Sequence, residues 1–251
     1  MAIDPQGMAL IAWADDSADF AGHTYAAHQV AGFNLNNRKS LRIKGTNAVT
    51  PSPSRAPQVF DFRHDARVSS LGPAMPDVDS PADILTIGFG CELVNGARWI
   101  TATMTTSGLE SVPPQGLWRM NFATNPTKPG VVDRADQWFV SADTDITGNR
   151  AFSWGVAVRN GDGSITYTVK GAADAGAFDL TRRSVTVKVD VAKLNTVQKR
   201  GAIANGTVLM GLRGSALAAR TSAATPAATL AAGFADSTRG GGTFTMGTCQ
   251  P

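Results

Sequence analysis

The sequence predicts an all-β chain whose larger part, from about Pro57 onward, is one antiparallel β-sandwich of jelly-roll or immunoglobulin-like outline, with an N-terminal β-hairpin extension. Composition is the first observation behind this. Glycine is abundant (26 of 251 residues) and charged residues make up only 17%, with alanine, threonine and serine where helical surfaces would carry lysine and glutamate. The second is a recurrence of short segments, many alternating apolar and polar residues, between turn signals. The third is the scarcity of apolar stripes at helical spacing.

Residues 8–14, an apolar run between Gly7 and Asp15-Asp16, predict a buried strand. Asp19-Phe20-Ala21-Gly22 reads as a turn and residues 24–30 as the returning strand, with Leu41, Ile43 and Gly45 closing a third. Residues 51–57 hold Pro51, Pro53 and Pro57 with serines between them, the composition of a linker. The reading therefore divides the chain into a hairpin segment over 1–50, a linker over 51–57 and a sandwich over 58–251.

Within the sandwich, residues 84–90 and 99–104 are strands joined by an Asn95-Gly96 hairpin turn. Residues 117–122, 137–142 and 152–158 follow, then a turn at Asn160-Gly161-Asp162-Gly163 and a strand over 165–170. Residues 184–189 give the cleanest alternation in the chain, and 208–212 and 243–246 complete the set. Helix is expected only as one turn over 191–195 and as part of the alanine-rich stretch 216–232, which Thr225-Pro226 interrupts.

The net charge is +3 and the basic residues are scattered without a basic stripe, which argues against a nucleic-acid partner. No segment carries the ~18 consecutive apolar residues of a membrane helix, so no membrane partner is expected. Met1-Ala2-Ile3-Asp4-Pro5 lacks a charged start followed by an apolar stretch, so a secreted location would rest on a signal outside this sequence. The two cysteines, Cys91 and Cys249, have two open readings: one disulfide closing a long loop, or two buried thiols.

Two local patterns resemble known families. Asp4-Pro5-Gln6-Gly7, the strand to Trp13, the acidic turn and Thr24-Tyr25-Ala26-Ala27-His28-Gln29 resemble the last blade of a bacterial sialidase-type β-propeller. One partial blade lacks the arginines and tyrosine that such an active site gathers from several blades, so the resemblance implies a truncated, inactive fragment. Ala56-Pro57-Gln58-Val59-Phe60-Asp61, His64-Asp65-Ala66 and Pro81-Ala82-Asp83-Ile84-Leu85, with the strands up to Ser237-Thr238-Arg239, resemble a C-terminal β-sandwich accessory module of secreted bacterial proteins, similar in outline to carbohydrate-binding and DOMON-type modules. That resemblance implies calcium near the first strand, although His64 stands where the family motif has glycine.

Asp61, Asp65 and Asp83 are the candidate metal ligands, with Asp77 and Asp79 nearby; hard oxygens without clustered His or Cys point to Ca2+. Solvated turn aspartates are the alternative. Asp143, Asp145 and the Asn160/Asp162 turn form a second acidic group that reads as hairpin-turn chemistry. His64, between Arg63 and Asp65, is the one candidate catalytic residue, with no Gly-x-Ser-x-Gly elbow to accompany it. Trp118 and Trp138 are expected to share an inward face, and Trp99, beyond the Asn95-Gly96 turn, is the candidate exposed platform for a sugar.

The expected function is that of a non-catalytic accessory module of a secreted enzyme, with carbohydrate or a neighbouring catalytic domain as its partner. A metal- or His64-assisted hydrolase of esters, phosphoesters or glycosides is one alternative. A structural domain that self-associates into a homodimer through exposed strand edges is the other.

Overall fold

The computed structural model describes the backbone of residues 2–3, 9–15 and 23–28, and residues 57–61, 63, 65–68, 79–125, 135–161, 165–218, 234–238, 242–247 and 249. The chain separates into two compact units, Met1–Thr50 and Pro51–Pro251.

In the first unit β1 (Ala2–Ile3), β2 (Ala9–Asp15) and β3 (His23–His28) form an antiparallel sheet in that order, with Trp13 opposite Tyr25. The third strand expected around Leu41 and Ile43 lies outside the described residues, as do the linker residues 51–56.

The second unit is a sandwich of two antiparallel sheets. The smaller contains β4 (Val59–Phe60), β6 (Ile84–Val94), β7 (Ala97–Thr106), β12 (Ala175–Asp179) and β13 (Ser184–Asp190), in the order β12-β13-β7-β6-β4. The larger contains β5 (Arg67–Val68), β8 (Leu117–Thr124), β9 (Asp136–Thr144), β10 (Arg150–Arg159), β11 (Ile165–Ala172), β14 (Val208–Ala218) and β15 (Phe234–Ser237), in the order β11-β10-β9-β8-β14-β15-β5. The strand β16 (Gly242–Thr245) also pairs with β14.

Alternation decides which side chains meet between the sheets. Along β13, Val185, Val187 and Val189 are buried, and across β7 they meet Met104, Ala102 and Ile100. Facing them are Trp118, Met120 and Phe122 of β8 and Trp138, Val140 and Ala142 of β9, all in one core. Phe89 of β6 and Phe122 meet edge to face at 5.6 Å across the two layers. The indoles find partners there: Trp118 Nε1 donates to the Pro81 carbonyl at 2.7 Å and Trp138 Nε1 to Thr124 Oγ1 at 2.9 Å.

The hairpin between β6 and β7 turns at Asn95 and Gly96 with φ of +51° and +81°. Both central residues of a type I′ turn need that left-handed backbone. The expected helical turn is α1 (Val191–Asn195), capped by the Asp190 side chain, which accepts from Ala192 N–H at 2.8 Å. The alanine-rich stretch is a correction: Ala216, Leu217 and Ala218 extend β14, opposite Trp118 and Leu117 of β8, because pairing and core burial outweigh alanine's helix preference. Its remainder, residues 219–232, lies outside the described residues.

Gly155 marks the irregularity where the β10–β11 register shifts. A Cβ here would run into the Thr168 carbonyl and sit 2.6 Å from the Phe139 ring. Gly155→Ala is expected to cost about 1–3 kcal/mol in denaturant unfolding. An unchanged midpoint would show that the sheet absorbs the methyl group.

Cys91 and Cys249 are joined in a disulfide. Cys91 lies on the inward face of β6 in the smaller sheet, and Cys249 follows β16 of the larger one, so the bond links the two layers.

Candidate functional site

The chain crosses from one sheet to the other between β4 and β5. The first edge is tied by Asp61 N–H, which donates to the Leu85 carbonyl at 2.9 Å beside β6. The second is tied by β5, where Arg67 lies opposite Ala235 and Val68 opposite Phe234. Antiparallel register then brings Asp236, the residue after Ala235, alongside residues 65 and 66. Carboxylate oxygens of Asp61, Asp65 and Asp236 converge, all within 4.8 Å of one another.

Of the three aspartates predicted as metal ligands, two are in this group. Asp83 is fully buried next to it but outside the converging trio. Its charge nonetheless reaches Asp236. Burial is the largest influence pushing the Asp236 carboxyl up to about 7, followed by the charge of Asp65, with Asp83 adding to both. Opposing these, Asp236 accepts hydrogen bonds from Ile84 N–H at 2.8 Å and Ser237 N–H at 2.6 Å. The Ile84 bond runs from the smaller sheet to the larger.

These residues fit a calcium ion by donor type and spacing. Calcium takes carboxylate oxygens at about 2.3–2.6 Å, so two oxygens touching one ion lie no more than roughly 5 Å apart. A softer metal would call for His or Cys, and the group contains neither.

Asp79 has other partners. Arg63 donates to it through Nε and Nη2 in a two-pronged pair, 2.7 Å at the shortest, and Arg183 approaches it at 3.7 Å while also pairing with Glu110 at 2.8 Å. Asp77 and the candidate catalytic His64 lie outside the described residues.

The second acidic group divides in two. Asp145 organises its turn, accepting from Thr147 N–H, Thr147 Oγ1, Asn149 N–H and Asn149 Nδ2 at 2.7–2.9 Å. The Thr147 and Asn149 side-chain bonds lead in holding its carboxyl down at about 2. Asp143 instead stands on the outer face of the larger sheet, where burial pushes it up against the hydrogen bond from Ser141 and the charge of Arg119. Asp162 lies outside the described residues.

Trp118, Trp138 and Trp154 belong to the core. Trp99 points to the other side of β7, between Glu92 and Asp190 on the neighbouring strands, where it is half-buried. Around it the outer face of the smaller sheet is rich in threonine, with Thr103 and Thr186 bonded through their hydroxyls at 2.9 Å.

The larger sheet carries a different outer face. Arg119 on β8 leans over two rings, its guanidinium carbon 3.9 Å from the centroid of Tyr167 and 5.2 Å from that of Phe139. Sequence reading passed over this constellation, because its members come from β8, β9 and β11. It passed over Asp236 as well, an isolated carboxylate far along the chain from Asp61 and Asp65. Alternation in Leu117-Trp118-Arg119-Met120-Asn121-Phe122 does mark Arg119 and Asn121 as outward. Among the described residues, no helix is long and apolar enough to cross a membrane. No protein family, curated protein or solved structure matches this chain.

Proposed function

We propose that this chain is a non-catalytic accessory module of a larger secreted enzyme, a sandwich clamped along one edge by calcium and able to bind carbohydrate. The observation that carries the reading is the convergence of Asp61, Asp65 and Asp236 where the chain crosses between the sheets. β4 and β5 are two residues each and hold the ends of both sheets, so a cation shared by the three carboxylates would fix a weakly paired crossing. The Cys91–Cys249 bond suits an oxidising compartment. Carbohydrate is supported by the larger sheet's outer face, where aromatic rings sit among arginine, serine and aspartate.

Differential scanning calorimetry of the full chain in calcium or in EGTA tests the clamp. With calcium a hundredfold above its Kd, Tm is expected to rise by about 5–10 °C. A Tm indifferent to both removes calcium from the reading. A glycan array of neutral and acidic polysaccharides tests the other half, and silence across the array removes carbohydrate binding.

A further inference from the structure

The outer face of the larger sheet is built around a missing side chain. Gly155 has no Cβ, and the Phe139 ring lies close over it. Tyr167 meets Phe139 edge on, at 5.3 Å and 88° between ring planes. The Arg119 guanidinium then rests on the Tyr167 ring. Ring contacts fix the plane of this group without using its N–H donors. The buried Nε of Arg119 has no acceptor, and the charge of Arg119 reaches Asp143 on the neighbouring strand. A guanidinium oriented in advance with its Nε donor unspent is suited to a carboxylate, which accepts two parallel N–H bonds.

Its neighbours ask for something a bare carboxylate lacks. Asn121, two residues along the same face and opposite Phe139, is only 4% exposed, and its Oδ1 has no donor. A buried acceptor left this way has lost its water without a replacement, which a hydroxyl donor would supply. On the other flank, Ser153 and Ser141 share a hydrogen bond at 2.9 Å and Ser141 donates to Asp143 Oδ2 at 3.0 Å. Asp143 Oδ1 is thus a second acceptor on this face. A simple anion supplies no hydroxyl, and a neutral sugar supplies no carboxylate for the fork. A sugar acid supplies both.

We infer that this face, over Arg119, Tyr167, Asn121 and Asp143, binds an acidic saccharide through a uronate carboxylate on Arg119 and ring hydroxyls on the two acceptors. The inference rests on the carbohydrate reading above and names its ligand class and site.

The test is calorimetric titration of the full chain with oligomers of galacturonate, glucuronate and mannuronate, each beside its methyl ester, and with acetate as competitor. At least one uronate oligomer is expected to bind, with its ester at least tenfold weaker. The same titration should shift the Arg119 Nε–H resonance in a nitrogen-correlated NMR spectrum. Arg119→Lys keeps the charge but loses the fork, and should weaken binding tenfold or more at unchanged Tm. Tyr167→Leu, which removes the ring beneath the fork, should do the same if Arg119→Lys proves unstable. Acid and ester binding alike, or acid binding indifferent to both substitutions, overturns this site and leaves the carbohydrate reading standing, as does silence from every uronate while neutral glycans bind the array. Silence from all glycans overturns both. Displacement by acetate at equal concentration reduces the site to an anion hole and overturns the saccharide assignment.

Discussion

Replacing both cysteines by alanine is expected to lower stability by about 5 kcal/mol and Tm by about 10–20 °C. The physical source is the unfolded chain. Cys91 and Cys249 are 158 residues apart, so their bond closes most of the sandwich into one loop and denies the denatured ensemble a large share of its conformations. The folded side of the balance changes little, because each side chain is small; both lie in the core, at 3% and 5% exposure. That difference gives the prediction a second reading. Losing a crosslink expands the denatured state and raises the denaturant m-value, whereas a cavity alone lowers the midpoint and leaves the slope as it was. Urea titrations of the bonded protein and the double variant separate the two. A double variant within 1 kcal/mol of the parent would mean that β16 and the core hold the C-terminal segment unaided.

The residues that carry the sandwich were legible wherever a strand is long enough to show its period. Ser184-Val185-Thr186-Val187-Lys188-Val189 displays its buried face in the sequence itself, and the structure buries its three valines. Trp118 and Trp138 were assignable to one face because Met120 and Val140 repeat the step. β4 and β5 are two residues each, too short for any period, and appear only through their partners Ile87, Thr86, Phe234 and Ala235. β12 was missed for another reason: Ala175-Gly176-Ala177-Phe178-Asp179 has low strand propensity. Pairing with β13 holds it, and Gly176 lets Phe152 lie close.

The candidate sites show the same division. Asp61 and Asp65 could be read from local spacing, since their own crossing segment brings them together. Asp236 could not, because only the β5–β15 register carries it to them. Arg119 could be marked as outward, but the rings beneath it depend on the pairing of β8 with β9, of β9 with β10 and of β10 with β11.

In EGTA, stability is expected to fall as pH rises from about 4 to about 7, and Asp236→Asn is expected to remove most of that slope, leaving the smaller part that the raised Asp143 carboxyl contributes. The Asp236 carboxyl is pushed up from 3.8 to about 7, first by burial and then by the charge of Asp65. Between those values the folded chain keeps a proton that the unfolded chain has released, so each step up in pH favours unfolding. A displacement of roughly three pH units corresponds to stability on the order of 4 kcal/mol, fully present below about pH 4 and lost above about pH 7. Asn retains an oxygen to accept from Ile84 N–H and carries no charge. The variant should therefore be the more stable protein at pH 8 in EGTA. Calcium reverses the order: a cation takes the place of the proton, so calcium should stabilise the parent more at pH 8 than at pH 5 and do little for the variant. Unfolding measured at both pH values, with calcium and with EGTA, gives four comparisons between the two proteins. A parent whose stability is flat with pH in EGTA would show that neither burial nor the charge of Asp65 raises the Asp236 carboxyl. A variant that gains as much from calcium as the parent would move the ion away from Asp236.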